Sequence, residues 1–555
     1  MPASALRERA LRPPRPEVVV RELPGPRPAW VELATSGDHK RIGTLWITTA
    51  IAFGVLALVE LLLMRLQLAT ADGTLLSPEI FGQLLSVQGL TAVALFALPL
   101  AIGLASYVVP LQIGARAIAF PRLAQLGWWL YLAGGVSLYA SFLYQPPAAG
   151  PRVLAPLSGG AFSQTHGVDA WLIAAALATG GLVLAAISVL TTVHSRRAPG
   201  MVWRRLPPFA WASVSLGYLV LAIGPVLLAA VAMLFADRNF STVFFEPGEG
   251  GAPLLWAHLT SIYLAGAYAG IVVFAFGAIS EILPVFARRP AFSPRAIAAS
   301  LVAIAALGPL TWIQSLYSAP LGIGWSYTAM AFACMLCVPV GVILVNWVAT
   351  LWRGSIALRA PLLWALGAIS TTTIGLAGEL AYSLPVVGWQ LGGTADSTAT
   401  TGYAMIGAAV FGGVAALHYW LPKVAGRTAS DGIGKAAFWV TLIGVHAMLG
   451  SLALAGLNGQ PADIHRHLSA DGWEGWNLAA SVGAFVFAAG VLTALANLAH
   501  GAKQGVESGH DPWRGRTLEW FAPSPPPPNN FDLVPDVRSE APLADIRAAV
   551  ESRTL

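Results

Sequence analysis

Long apolar segments recur along the whole chain and are separated by short polar stretches. Each is about twenty residues long, enough for an α-helix to cross a hydrocarbon core of about 30 Å. Helices satisfy their backbone hydrogen bonds within lipid, and the short alternating segments typical of a membrane barrel are not seen. The pattern predicts an all-α membrane protein with twelve spans, near residues 45–67, 89–110, 125–145, 170–193, 212–236, 255–283, 296–313, 324–352, 360–385, 399–421, 436–457 and 475–499.

The composition agrees with a membrane location, because only 11% of the 555 residues are charged. A soluble domain has about a quarter. The basic residues fall in the N-terminal tail and in every second loop, which by the positive-inside rule predicts that both termini are cytoplasmic. This asymmetry also explains the formal charge of +5 without a nucleic-acid surface. A bacterial cytoplasmic (inner) membrane is the expected location. The basic loop residues are Arg116, Arg122, Arg196, Arg197, Arg204, Arg205, Arg288, Arg289, Arg295, Arg353, Arg359, Lys423, Arg427 and Lys435.

Three regions differ in composition. Residues 1–35 are rich in proline and arginine, which predicts a disordered basic cytoplasmic tail. Residues 36–502 hold the twelve spans, and residues 503–555 form a cytoplasmic Pro-rich extension. Cys334 and Cys337 lie inside an apolar span, where such a pair is more typical of packing than of a metal or redox site.

Several motifs occur in the order and spacing of one known family. The chain reads "DHKRIGTLW" at 38–46, "VPLQIGARAIAFPRL" at 109–123, "GAISEILPVFAR" at 277–288, "HYWLPKVAGR" at 418–427 and "GRTLEWFAPSPPP" at 515–527. Together these motifs resemble subunit I of the heme-copper oxidases, the catalytic subunit of cytochrome c oxidase. The resemblance runs from about residue 36 to 531 and implies a twelve-helix subunit I-like bundle.

The resemblance also implies a ligand set, because the family holds two hemes and one copper through six histidines. Imidazole suits iron and copper in a dry interior. Counting from the shared motifs predicts that none of the six positions carries histidine here, so that the chain has no catalytic residue, no metal ligand and no heme or copper cofactor. Gln88 is either an unusual ligand or an ordinary polar residue at a helix entrance. The six positions are occupied by Gln88, Ala265, Gln314, Ser315, Thr400 and Gly402.

Two acidic residues stand inside predicted spans, Glu60 in "ALVELLLM" and Glu379 in "GLAGELAY". A charge in hydrocarbon costs several kcal/mol, about 2.5 or more, so each is a candidate intramembrane polar site. One interpretation is a polar pocket or a proton-handling site in space vacated by cofactors. The other is that each carboxyl is protonated, reaches an interface or pairs with a partner subunit.

Three hypotheses of function follow. In the first, the chain is a non-catalytic structural or regulatory subunit of a respiratory-type membrane complex, a degenerate relative that docks subunit II- or III-like proteins and lipid. In the second, it is a terminal oxidase subunit I that reduces oxygen with electrons from cytochrome c. In the third, it is a transporter or small-molecule binder that uses the vacated interior.

Overall fold

The computed structural model describes residues 31, 35–316, 323–531 and 533–554. Within these residues, twelve helices are long and apolar enough to cross a membrane, which confirms the predicted number of spans. We label them α1 to α12 in chain order. Their bounds are His39–Gln67, Pro78–Gln112, Pro121–Leu143, Gly167–Ser195, Pro208–Asn239, Pro253–Phe286, Pro294–Gln314, Gly324–Leu351, Ala360–Ser383, Ala395–Ala425, Asp431–Leu457 and Glu474–Gln504.

Several helices extend beyond the apolar runs that predict them, because polar first turns continue them past the lipid. Helix α2 begins at Pro78, where the Ser77 side chain accepts a hydrogen bond from the Ile80 amide. It then changes to a π-helical turn at Thr91–Ala97 before it resumes. A second π-helical turn at Gly407–Gly412 divides α10. Such turns are frequent at functional sites.

The helices differ in how much of their surface the protein covers. In the most apolar part of α6, 94% of the residues are buried, so α6 lies in the centre of the bundle. The corresponding figure for α8 is 22%, and this helix therefore lies at the periphery. Cys334 and Cys337 are exposed on α8, where no disulfide joins them. Their exposure on an outer helix does not fit the predicted packing role.

The segment after α12 packs against one end of the bundle. It begins with a short antiparallel pair in which β2 (Val506–Glu507) lies beside β1 (Arg427–Thr428). The Trp520 indole then donates a 3.1 Å hydrogen bond to the hydroxyl of Tyr419 on α10. The Lys423 ammonium donates to the Ala522 carbonyl at 2.7 Å. The division of the chain at residues 35 and 502 stays a prediction, and most of the N-terminal tail lies outside the described residues.

A buried carboxyl holds this segment to α2. Glu519 is fully buried, and its Oε1 accepts hydrogen bonds from Gln112 at 3.1 Å and from the Trp420 indole at 3.5 Å. The carboxyl of Glu281 on α6 is close enough to act on Glu519 electrostatically. Burial is the largest influence on Glu519 and raises the pKa of its carboxyl.

We predict that Glu519→Gln makes stability less dependent on pH. Because the folded-state pKa is raised, the folded protein binds the proton more tightly than the unfolded chain. The Glu519 carboxyl therefore makes its full contribution to the free energy of unfolding below the ordinary pKa of glutamate, and this contribution is lost as pH rises through the raised pKa. The loss is at most about 1.4 kcal/mol for each pH unit between the two pKa values. Thermal unfolding in mild detergent across a pH series should show this loss for the parent and a flatter profile for the variant. Glu507→Gln, at an exposed carboxyl, is the matched control. Parallel profiles for the parent and Glu519→Gln would contradict the prediction.

Candidate functional site

Five of the six positions predicted from the ligand set can be located with their side chains. Thr400 is buried, whereas Gln88, Ala265, Gln314 and Gly402 are half-buried. Gln88 lies in α2, one turn before the π-helical turn that starts at Thr91. Ser315 follows α7 in the last described turn before residue 317, and its side chain lies outside the described residues.

Helix α9 approaches α10 very closely because two glycines face it. A Cβ atom on Gly375 would lie 2.1 Å from the Ala404 amide nitrogen, and one on Gly378 would lie 2.5 Å from Thr400 Cγ2. No larger residue fits at either position without a shift of the helices. This contact brings Glu379, the next residue after Gly378, beside the start of α10.

Glu379 forms a polar cluster with two other helices. Its Oε1 accepts a 2.7 Å hydrogen bond from the hydroxyl of Thr401 on α10. The amide of Gln314, at the end of α7, donates to the Glu379 carbonyl at 3.0 Å and to Oε2 at 3.4 Å. We call Gln314, Glu379 and Thr401 the Glu379 cluster. It joins one predicted ligand position to one predicted intramembrane acid, and Thr401 stands between two further predicted positions, Thr400 and Gly402.

Glu60 has a separate set of partners. The Tyr139 hydroxyl on α3 donates to Glu60 Oε1 at 2.8 Å, and Thr91 Oγ1 lies 3.1 Å from the same hydroxyl. Glu60 is 5% exposed, and its Oε2 has no hydrogen-bond partner among the described residues. No hydrogen bond in the described part of the chain joins Glu60 to the Glu379 cluster, so the two predicted acids are not brought together.

A small cavity lies beside the entrance of α2. Its volume is about 40 Å³, and its lining includes Gly89, Arg152, Thr260 and Tyr263. The buried Tyr263 hydroxyl has no hydrogen-bond partner among the described residues. Pockets for small organic ligands are typically about 300–1,000 Å³, whereas a cavity of about 10–15 Å³ already holds a water. This cavity is therefore the size of a water site.

The sequence did not identify the partners of the two acids. Thr401 and Tyr139 each hold one of them, and neither residue was predicted to do so. The available signal was the presence of hydroxyl-bearing residues in otherwise apolar spans. Because hydroxyls also bond to their own helix, as Thr371 does to the Gly367 carbonyl at 2.6 Å, that signal does not select the right residues.

Comparison with known proteins gives matches over most of the chain. Residues 41–486 match the family described as "Cytochrome C and Quinol oxidase polypeptide I". The chain is 36% identical over 520 residues to the probable cytochrome c oxidase subunit 1-alpha of Streptomyces avermitilis, covering 93% of this chain and 89% of that one. It is 35% identical to cytochrome c oxidase subunit 1 of Bacillus subtilis, covering 92% and 82%. A solved heme-copper terminal oxidase dimer has a similar fold, with a TM-score of 0.71 over 84% of each chain at 14% identity.

These matches correct the prediction that the chain has no cofactor. Subunit I proteins of this family bind heme and copper, so these are the cofactors to expect and to test for. The prediction was wrong because counting along one sequence identifies the side chain at each position but does not measure binding. Affinity for a metal or a heme also depends on the surrounding shell, which such a count leaves out.

The donors at the described positions can still be compared with what such groups need. Iron and copper sites of this kind use imidazole nitrogens. Gln88, Gln314 and Thr400 offer amide or hydroxyl groups, and Ala265 and Gly402 offer no side-chain donor. Within residues 35–316, 323–531 and 533–554, no group of three His, Cys, Asp or Glu side chains could hold a metal ion. These donors do not fit an imidazole-ligated iron or copper.

Two half-buried histidines inside spans have other contacts. His446 Nδ1 lies 3.1 Å from the Tyr403 hydroxyl, and the His258 ring packs edge-on against Trp312 at 4.8 Å between centroids. The likeness to subunit I therefore rests on the length of the match, the twelve spans and the order of the motifs. On those grounds the chain belongs to the cytochrome c and quinol oxidase polypeptide I family, and it is an integral membrane protein with the subunit I fold.

Proposed function

We propose that the chain is the subunit I-type membrane component of a respiratory oxidase complex. The observation that carries this proposal is the length of the match, because 93% of the chain aligns with 89% of a cytochrome c oxidase subunit 1-alpha. Both the spans and the connecting loops are therefore retained. Its partners are other membrane subunits, subunit II- or III-like proteins among them, and lipid. Both termini lie on the cytoplasmic side of the membrane.

The names of the relatives support a catalytic role within that complex. Relatives at 35–36% identity are named as subunit 1 of cytochrome c oxidase. In this form the chain is a terminal oxidase subunit that reduces oxygen with electrons from cytochrome c.

A structural or regulatory role is the second candidate, and a different observation supports it. The predicted ligand positions carry alanine, glycine, amide and hydroxyl side chains, and α9 packs directly onto the segment of α10 that holds two of those positions. In this form the chain organises its partners while they carry out electron transfer. The transporter hypothesis has no support from the relatives and stays a prediction.

Purification in mild detergent distinguishes the two roles. The tagged chain should co-purify with oxidase subunits in either case, and its isolation alone would contradict the proposal. Two observations together would support the catalytic role. The first is absorbance in the Soret region that stays with this polypeptide after its partners are removed, and the second is oxygen uptake driven by reduced cytochrome c. Oxygen uptake that depends on a different subunit I in the same preparation supports the structural role.

A further inference from the structure

Glu379 faces the interior of the bundle. On α9, the residues seven before and three after it, Thr372 and Tyr382, lie on the same face of the helix and are buried. Residues on the opposite face are exposed, Ile374 at 46%. Glu379 nevertheless remains half-buried. The surface it retains therefore opens into space between helices and not toward lipid.

The other residues around that space are also only half-buried. Gln314, Thr401, Gly402 and Tyr268 of the central helix α6 are all half-buried, although they belong to helices that contact one another. The surface that these residues retain indicates a gap between the four helices at Glu379. It is near the end of the bundle that carries the loops after α3, α5, α9 and α11.

Among the described residues, no cation forms an ion pair with the Glu379 carboxylate. Its two side-chain donors, the Thr401 hydroxyl and the Gln314 amide, are neutral. None of the ion pairs among the described residues includes Glu379. Arg152, in the loop between α3 and α4, acts on it only through space. An enclosed carboxylate without a partner charge is costly and is neutralised by whatever cation can reach it.

The titratable groups packed around Glu379 are few. Tyr268 on α6 and Tyr382 on α9 interact with it electrostatically, and the Tyr382 hydroxyl donates a hydrogen bond to the Asp396 carboxylate. His446 on α11 is held by Tyr403. The donors that reach the carboxyl present hydrogens to it, whereas a bound metal ion would require several oxygen ligands. The arrangement suits a proton better than Na⁺ or Ca²⁺.

We propose that the Glu379 cluster is an intramembrane proton-binding site that opens into the space between α6, α7, α9 and α10. Glu379 takes up and releases the proton. Thr401 and Gln314 stabilise the ionised carboxylate by donating hydrogen bonds to it. The site does not depend on whether the chain is a catalytic or a structural subunit.

Dicyclohexylcarbodiimide tests this proposal, because this apolar reagent modifies carboxyl groups that are protonated and shielded from water. The intact purified protein is treated across a pH series, and the labelled residue is identified by mass spectrometry of its peptides. Labelling of Glu379 at neutral pH, lost as pH rises, is the expected result. Glu379→Gln should lose this label while Glu60→Gln keeps it. Thr401→Val and Gln314→Leu should shift the loss of label to higher pH, because the anion is then less stabilised.

Three outcomes would overturn the proposal. Glu379 could remain unlabelled at every pH, or its labelling could be independent of pH. Alternatively, Na⁺ could protect Glu379 from the reagent at constant pH, which would identify a metal cation as the ligand. Thr401→Val and Gln314→Leu profiles identical to that of the parent would remove these two residues from the site. Elution of each variant at the parent volume in size-exclusion chromatography shows that the comparison is made on folded protein.

Discussion

Replacing Arg238 with alanine is expected to destabilise the protein by about 3–5 kcal/mol, the range for removing one partner of a buried ion pair. Arg238 lies in the last turn of α5, and its side chain is almost fully buried. Its guanidinium donates to the Asp169 carboxylate on α4 at 2.7 and 3.3 Å. It also donates to the carbonyls of Ser158, Ser163 and Thr165 at 2.5 to 2.9 Å. Alanine would leave three carbonyls without this donor and would remove the only arginine that pairs with Asp169 among the described residues. The Asp169 carboxylate would keep the Asn239 amide at 3.2 Å.

The free energy of unfolding, measured by SDS titration in mixed micelles, checks this prediction. Arg295→Ala is the matched control, because Arg295 pairs with Glu540 at an exposed site and should cost about 1 kcal/mol or less. Arg238→Lys should recover only part of the loss, since an ammonium cannot make the forked contact with Asp169. Equal effects of Arg238→Ala and Arg295→Ala would show that the loop after α3 is not held by this contact.

Gly444→Ala is expected to destabilise the crossing of α11 and α12 by about 1–3 kcal/mol, the usual cost of overpacking. A Cβ atom at Gly444 would lie 2.2 Å from the Phe487 amide nitrogen, and that backbone cannot move without the helix. Gly483 makes the reciprocal contact, where a Cβ would lie 2.3 Å from the Met448 amide nitrogen. Small residues at such positions let helix backbones approach closely within lipid.

Gly341→Ala gives the control for this series, because Gly341 lies on the peripheral helix α8 and a Cβ there would meet nothing within 4 Å. That substitution should be neutral or stabilise the helix by up to about 1 kcal/mol. In SDS titration, Gly444→Ala should therefore lower the midpoint relative to the parent, whereas Gly341→Ala should leave it unchanged or raise it. A Gly444→Ala variant as stable as Gly341→Ala would contradict the close crossing.

The number of spans could be predicted because hydrophobic length is a property of the sequence alone. The helix ends could not be placed in the same way, since polar first turns such as the one capped by Ser77 carry no apolar signal. The same limit applies to the π-helical turns in α2 and α10. Those turns depend on how neighbouring helices pack.

The candidate site was predicted only in part, for a related reason. Glu60 and Glu379 stand out as acids in apolar spans, but their partners come from distant parts of the chain. Tyr139 lies 79 residues from Glu60, and Gln314 lies 65 residues from Glu379. The spacing along one helix cannot reveal such pairs. The cofactor prediction fails for a different reason, because the absence of histidine at counted positions does not establish the absence of binding.

Native mass spectrometry of the tagged chain, released from its own membranes in mild detergent, tests the central proposal most directly. We expect the 58.0 kDa polypeptide to be found in an assembly of fixed stoichiometry with other oxidase subunits. Dissociation in stages should release those subunits and leave the twelve-helix chain. The source membranes must contain an assembled oxidase. If the chain from such membranes is found only by itself or only with copies of itself, the result would contradict a role as a subunit of that complex.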